Sequence, residues 1–546
     1  MTRLRSSPFS WAARMSESAV TPLAAPLSTG RRLAALAALG SVWLTTAGHS
    51  ASFREMNAAR GWVATDGYAL HSSYLFAVAC GLALTWANRP MSRPVLVMRW
   101  GLSLLVIGSF LNGLLIQAPY AFLAVSRMAA GFGAGMVLAA APVAGQAAGS
   151  RWFTWAGILL PSIGPPLIAW ASDTHREQGW EGSFLFEGLL SVCALIAVIT
   201  QGEDESQRAN QTGYLTVPLW FPVLAIFLLC LWYLAAFGQL KGWGDDPRCA
   251  VAFAVGTVAL SLLLAMQILT TRNLQALPPA AWPTLIVAAY AGFVQFFNVS
   301  DMGIYGGIIL DLGQIDRSLL IWPLSIGTAS GTILALFLPR TRWLALLGLL
   351  SIVVGMGVAH SRTMGWTYWS LLNQTQFNWF AAPGVWELAL SRFLMGMGTG
   401  LTQIGLQRLA LSQPEQEGFR RDMLTWFQFL GGALSIGILT LCTTRLFQTQ
   451  YSYVADRGAI QSDAYQAYGQ TLGEFLRERG FADPEAGSRA MLHNGVNYES
   501  NNLIFATIYG TFQASAWIAM GFVLFWWLWN FPLWQAKREG AALSRS

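Results

Sequence analysis

Charge is scarce in this chain. Only 11% of its 546 residues are Asp, Glu, Lys or Arg, where a soluble domain carries about 25%. Hydrophobic residues make up 54% and recur in apolar runs, many of about 18 residues or more, long enough to cross a bilayer. That excludes a water-soluble fold and marks an all-α polytopic membrane protein. Lysine is almost missing: of the 33 basic residues only Lys241 and Lys537 are lysines, and the arginines gather at the ends of apolar runs. The net charge of +6 therefore reads as the positive-inside rule rather than affinity for nucleic acid. Cysteine is sparse too. Cys80, Cys193, Cys230, Cys249 and Cys442 are scattered without a C-x-x-C spacing, so neither disulfides nor a metal site is expected. No Walker A loop, H-E-x-x-H or G-x-S-x-G occurs, which argues against ATP-driven transport and against hydrolytic chemistry within this chain. The five histidines lie far apart, whereas a membrane-embedded enzyme would cluster His, Asp or Glu at its surface loops; the chain does not read as an enzyme.

What is present is a row of apolar segments. Residues 1–32 are polar and carry Arg3, Arg5, Arg14, Arg31 and Arg32, as a cytoplasmic tail does. Residues 33–52 could be a signal peptide or a retained first span; retention keeps the symmetry described next. Further spans fall at 66–88, 96–116, 120–143, 152–171, 183–200, 215–236, 249–270, 283–310, 317–338, 343–360, 384–409, 423–444 and 503–530, fourteen in all. With the N-terminus inside, the inner loops collect Arg89, Arg93, Arg151, Arg208, Arg272, Arg340, Arg342, Arg408, Arg420 and Arg421, and the tail adds Lys537, Arg538 and Arg545. Both termini are then cytoplasmic, with Trp526, Trp527, Trp529 and Trp534 in the inner interface belt.

Two stretches share the pattern S-R-x-x-x-G-x-G-x-G, Ser126–Gly135 in the fourth span and Ser391–Gly400 in the twelfth. Arg127 follows Pro119 by eight residues and Arg392 follows Pro383 by nine, which puts each roughly a third of the way through a bilayer. An arginine at such depth costs about 2.5–3.5 kcal/mol on insertion scales, so it must face protein or water. The glycines, including Gly131 with Gly135 and Gly396 with Gly400, permit close helix approach. The repeat predicts a 33–200 six-helix bundle, a 201–282 linker holding two inserted helices, and a 283–530 six-helix bundle, with 531–546 as a second tail. A long outer loop at 445–502 carries a helical stretch at 462–480 with Ser462 as N-cap and an apolar stripe of Tyr465, Tyr468, Leu472, Phe475 and Leu476. Asp483-Pro484 reads as the start of a second helix. The pair reads as a hairpin packed on the outer mouth or as a docking surface for a periplasmic partner.

These features resemble the major facilitator superfamily, and more narrowly its fourteen-span drug:proton antiporters of the EmrB/QacA type. Arg127, Gly131 and Gly133 are similar to the superfamily's motif B, whose arginine is implicated there in proton transfer, and Arg392, Gly396 and Gly398 repeat it. Ile163-Gly164-Pro165-Pro166-Leu167 resembles the antiporter motif C, Trp62-Val63-Ala64-Thr65 with Tyr68-Ala69-Leu70 is close to W-V-x-T-x-Y-x-L, and Gly238–Trp243 resembles G-x-x-x-x-W. The stretch from Gly480 to Phe505, with Ala486, Val496 and Asn502, looks like the family's approach to its last span. The resemblance covers residues 33–535. It implies a proton-coupled exporter of small apolar or amphipathic compounds in the inner membrane, with the proton as coupling ion and no cofactor. In a two-membrane bacterium it also implies a periplasmic adaptor and an outer-membrane channel. Three departures stand out. Ile168 and Ala169 replace the closing Gly-Gly of motif C, Asn88 stands near the aspartate of motif A, and the first span, reading Gly40–Thr46, lacks the family's L-D-x-T acid. The last departure leaves a uniporter or importer as the alternative.

A proton carrier needs a group that titrates inside the membrane. Asp301, inside the ninth span with Gln295 and Asn298 nearby, is the first candidate, followed by Arg127, Asp66 and His71. His49 reads as a helix-end residue, and Glu187, shallow in the sixth span, as interfacial. A substrate site at the midplane would draw on Asn112, Gln117, Tyr290, Phe293, Phe297, Gln403 and Gln428.

Overall fold

The computed structural model describes residues 29–51, 64–88, 93–115, 117–145, 181–201, 216–238, 245–270, 282–304, 314–338, 341–372, 385–411, 423–438 and 463–487, with isolated positions between them. Among the described residues every regular element is an α-helix. The apolar segments fold as α1 (Thr29–Ala51), α2 (Ala64–Asn88), α3 (Pro94–Leu114), α4 (Tyr120–Gly145), α5 (Glu181–Thr200), α6 (Trp220–Phe237) and α7 (Pro247–Thr270). They continue as α8 (Trp282–Ile304), α9 (Gln314–Phe337), α10 (Thr341–Leu372), α11 (Val385–Leu411) and α12 (Met423–Ile438). Backbone groups in hydrocarbon must be satisfied within the segment, and uninterrupted helices do this. Among the described residues seven helices are long and apolar enough to cross a membrane, and the chain is a multi-pass membrane protein. The expected spans at 152–171 and 503–530 lie outside the described residues apart from isolated positions. So do the tails.

α10 runs 32 residues, well past the expected end at 360. No proline or glycine stands at 360–363 to stop the helix where the span was expected to end. In the expected outer loop, α13 (Asp463–Glu478) is amphipathic as expected, though Ser462 lies outside the described residues. Leu476 is buried, while Phe475 is exposed and lies under the Arg479 guanidinium, 4.9 Å from the ring centroid. Gly480, at φ 76°, closes the helix: its N–H donates to the Arg477 carbonyl and that of Phe481 to the Leu476 carbonyl. Asp483 then caps the next turn, Oδ1 accepting from the Ala486 N–H at 2.9 Å.

The packing is built on glycine. α4 lies in the groove between α2 and α3, and α11 lies in the same way between α9 and α10. A Cβ on Gly131 would collide with the Tyr74 carbonyl, on Gly133 with the Gly101 carbonyl, and on Gly135 with the Val78 carbonyl. In the second set the collisions are Gly396 with the Leu324 carbonyl, Gly398 with the Gly348 carbonyl and Gly400 with the Thr328 carbonyl. The correspondence runs both ways, since Gly81 and Gly331 meet the Phe132 and Met397 carbonyls, and Gly108 and Gly355 the Ser126 and Ser391 carbonyls. The two trios are thus built in one register. α1 and α8 meet between them, and Phe429 of α12 packs on both Trp43 and Phe296, at 5.6 and 5.7 Å between ring centroids.

Candidate functional site

Depth brings one set of polar groups together. Arg127 stands seven residues into α4, Glu187 six into α5 and His71 seven into α2, while Thr45 is six before the end of α1. At 1.5 Å rise per residue, each is about 10 Å from its helix end. Arg127 and Glu187 are both 0% exposed. Arg127 Nη1 donates to Glu187 Oε2 at 2.9 Å, and Nη2 donates to the Thr45 carbonyl at 3.0 Å. Its guanidinium also lies 4.5 Å from the Tyr74 ring centroid and 5.2 Å from that of Phe184, a stacking that suits this weakly hydrated cation. The Tyr74 hydroxyl is 3.1 Å from Thr46 Oγ1, so the site continues onto α1. A buried arginine needs a carboxylate or carbonyl partner, and Arg127 has both.

Glu187 was expected at the interface. It is instead wholly enclosed, because α5 packs on α3 and α1 and carries it to the level of Arg127. The signal was in the sequence as equal offset: the two residues sit equally far into helices of adjacent levels. Sixty residues of chain between them conceal it.

Arg392 repeats the placement. It is also 0% exposed, seven residues into α11. Its Nη1 donates to Asn298 Oδ1 at 3.0 Å, and Asn298 Nδ2 donates to the Val294 carbonyl at 2.8 Å. Asn298 is six residues before the end of α8, as Thr45 is before the end of α1. In the first set the Nη1 bond runs to a carboxylate, and in the second it runs to an amide, which cannot ionise.

The remaining candidates are placed as follows. His71 is buried one turn from Tyr74 and within the field of Arg127. Asp66 is half-buried in the first turn of α2, and its carbonyl accepts from Tyr120 Oη at 3.2 Å. Asp301 lies on α8, one turn beyond Asn298. The side chains of Asp301 and His49 lie outside the described residues, as do Gly164 and Pro165 of motif C. Asn112 is buried: its Nδ2 donates to the Gly108 carbonyl of its own helix, and its Oδ1 has no hydrogen-bond partner among the described residues. Gln117 is exposed in the α3–α4 turn, where its Oε1 accepts from Arg60. Phe297 is fully buried at the end of a stack with Phe293 and Tyr290, ring centroids 6.4 Å apart at each step. Tyr290, Phe293 and Gln428 keep partial exposure, Gln403 is buried on α11, and the Gln428 carbonyl meets Gly292 where α12 crosses α8. Among the described residues no group of three or more His, Cys, Asp or Glu is placed to hold a metal.

Asn88 explains its own departure from the motif A aspartate. Its Oδ1 accepts from the Thr216 N–H at 2.8 Å and the Thr216 hydroxyl at 2.7 Å, while Nδ2 donates to the Leu84 and Thr216 carbonyls, both at 2.8 Å. The position uses two acceptor and two donor functions, and a carboxylate has no donor. It pins the chain entering α6 to the end of α2. Near the other end of α6, Trp232 Nε1 donates to the Ala69 carbonyl at 2.9 Å.

The chain was compared with known proteins. No family model matches it, and no curated protein matches it. Solved structures do. The crystal structure of a peptide transporter POT in complex with sulfate aligns over 94% of this chain and 97% of that one, with a TM-score of 0.54 at 14% identity. The POT family transporter PepTSo, solved in meso, aligns over 89% and 99% with a TM-score of 0.51 at 11% identity. An auto-inhibited POT family peptide transporter aligns over 88% and 96% with a TM-score of 0.51 at 13% identity. The similarity is one of fold: the chain folds as these membrane transporters do.

Proposed function

We propose that this protein is a proton-coupled secondary transporter of the major facilitator type, exporting small apolar or amphipathic compounds across the inner membrane by alternating access. The observation that carries the reading is the matched register of the two arginine-bearing trios, α2–α4 and α9–α11, whose glycine contacts repeat position by position. Two rigid, similarly built units meeting through α1, α8 and α12 can rock about the site between them. The fourteen-span count, the division at 201–282 into an inserted pair, the cytoplasmic termini and the EmrB/QacA affiliation belong to the same reading. So does the periplasmic adaptor with its outer-membrane channel. Tyr290, Phe293 and Gln428 are the substrate contacts favoured by their partial exposure where α8 and α12 cross.

The test is proton movement in proteoliposomes with an imposed pH gradient, using ethidium as probe. Ethidium-dependent collapse of the gradient supports antiport. Ethidium movement without proton movement would replace the reading with uniport. Sidedness is checked with the chain's two lysines: a lysine-specific protease added outside sealed right-side-out vesicles should cut at Lys241 and spare Lys537.

A further inference from the structure

Arg127 Nη1 donates to a carboxylate, that of Glu187, whereas Arg392 Nη1 donates to an amide, that of Asn298. Of the Glu187 carboxylate only Oε2 is engaged; Oε1 is buried and has no hydrogen-bond partner among the described residues. Resting on the proton-coupled reading above, we propose that Glu187 is the proton-carrying carboxylate of this transporter, standing in for the acid that the first span lacks.

A hydronium ion passes its proton to Oε1: one O–H bond of the hydronium breaks, one O–H bond to Oε1 forms, water is left behind, and the carboxylate becomes a neutral acid. No bond to Arg127 has to break first, because that oxygen holds none. Arg127 loses its counter-ion and keeps the Thr45 carbonyl and the Tyr74 and Phe184 rings. An unneutralised guanidinium in an enclosed apolar site is unfavourable, so the protonated site favours a second arrangement of α4 and α5 in which Arg127 is solvated or re-paired. Release of the proton on the other side restores the ion pair. Of the ionisable groups around Glu187, Arg127 comes from α4, and His71 and Tyr74 from α2. α1 contributes Thr45 and Thr46 at this level, and Arg99 of α3 reaches only the far end of α5, at the Ile199 carbonyl. Glu187 is thus the one carboxylate at this level among the described residues of these helices.

Infrared difference spectra of the full chain in lipid, taken between mildly acidic and mildly alkaline buffer, test this without any ligand. The wild type is expected to show the carbonyl stretch of a water-shielded carboxylic acid. That band should vanish in Glu187→Gln, which keeps an acceptor for Arg127, and persist in Asp301→Asn and His71→Gln. Persistence in Glu187→Gln, or loss in Asp301→Asn alone, overturns the assignment. Glu187→Asp guards against a variant that fails to fold: it should keep the band at a shifted frequency, and an unshifted band overturns the assignment as well. The ethidium assay separates the two levels. No ethidium-dependent proton movement in the wild type fails the transport coupling itself, whereas wild-type movement that persists in Glu187→Gln fails only the role of Glu187.

Discussion

Gly133 of α4 and Gly101 of α3 touch backbone to backbone, and Gly398 of α11 and Gly348 of α10 repeat the contact in the second trio. Helices in lipid gain little from apolar area alone, and close backbone approach with its dense van der Waals contact takes that role.

Adding a branched side chain in these seams should therefore destabilise both trios alike. Gly131→Val and Gly396→Val would each drive a Cβ into a backbone carbonyl, of Tyr74 and Leu324. Overpacking of this kind costs about 1–3 kcal/mol, and here the neighbour cannot move aside. Both variants should unfold at lower temperature in detergent. Gly473→Ala is the contrast, since nothing lies within 4 Å of its added Cβ; the better helix former should leave stability unchanged or raise it by about 1 kcal/mol or less. Equal behaviour of all three variants would refute the packing role.

The ion pair between Arg127 and Glu187 should be strongly non-additive. Removing either partner, as in Arg127→Met or Glu187→Leu, strands a buried charge and should cost about 3–5 kcal/mol. The double variant Arg127→Met with Glu187→Leu should cost clearly less than the sum. Thermal unfolding of the four proteins closes the cycle, and additive losses would mean that the two side chains do not interact.

Asn88 should tolerate no acid, although an aspartate is what the resembled motif places nearby. Asn88→Asp keeps the acceptor for Thr216 but sets a carboxylate oxygen against the Leu84 and Thr216 carbonyls. The loss of two donated bonds should cost about 1–3 kcal/mol. Hydrogen exchange at the start of α6 is the readout, and unchanged protection there would show that the clasp is not formed.

The turn between α6 and α7 should respond to pH at both extremes. The Tyr233 hydroxyl first, and then Asp246, raise the Lys241 ammonium above the ordinary lysine range. The Arg248 N–H first, and then Lys241, hold Asp246 below its ordinary 3.8. A raised lysine contributes fully below its ordinary value and is lost as pH rises through the raised one. A lowered aspartate contributes above its ordinary value and is lost as pH falls through the lowered one. The clasp is thus complete across neutral pH and opens in strong acid and strong alkali. Competitive acylation reads it directly, because the chain has two lysines. Lys241 should titrate at higher pH than Lys537, and Tyr233→Phe should lower it more than Asp246→Asn. Identical titration of the two lysines would contradict the geometry.

The helices that the structure describes, and the burial of the two arginines in them, were legible from composition and offset alone, because hydrocarbon thickness fixes length and desolvation forbids a lipid-facing cation. The glycine pattern told of close approach but not of partners, since a collision with the Tyr74 or Gly101 carbonyl depends on how three helices are rotated against one another. Glu187 was misplaced because an acid six residues into a helix looks shallow until the neighbouring helices are known to enclose it. Residue type alone did not tell that Asn112 bonds back to its own helix or that Phe297 ends an aromatic stack, since both depend on the rotation of α3 and α8. Trp232 gave no signal, as its indole N–H meets a carbonyl of a helix more than a hundred and sixty residues earlier.

The fastening of α6 carries one last consequence. Its two ties to α2, at Ala69 and at Asn88, lie nineteen residues apart on that helix, a lever arm of about 28 Å. α7 packs on α6, and its Val251 and Phe253 face outward. The hairpin is therefore a fixed pointer on the Arg127 trio. A spectroscopic label at Val251, paired with one at the exposed Trp343 at the start of α10, would turn any relative movement of the two trios, as the proposed rocking requires, into a distance.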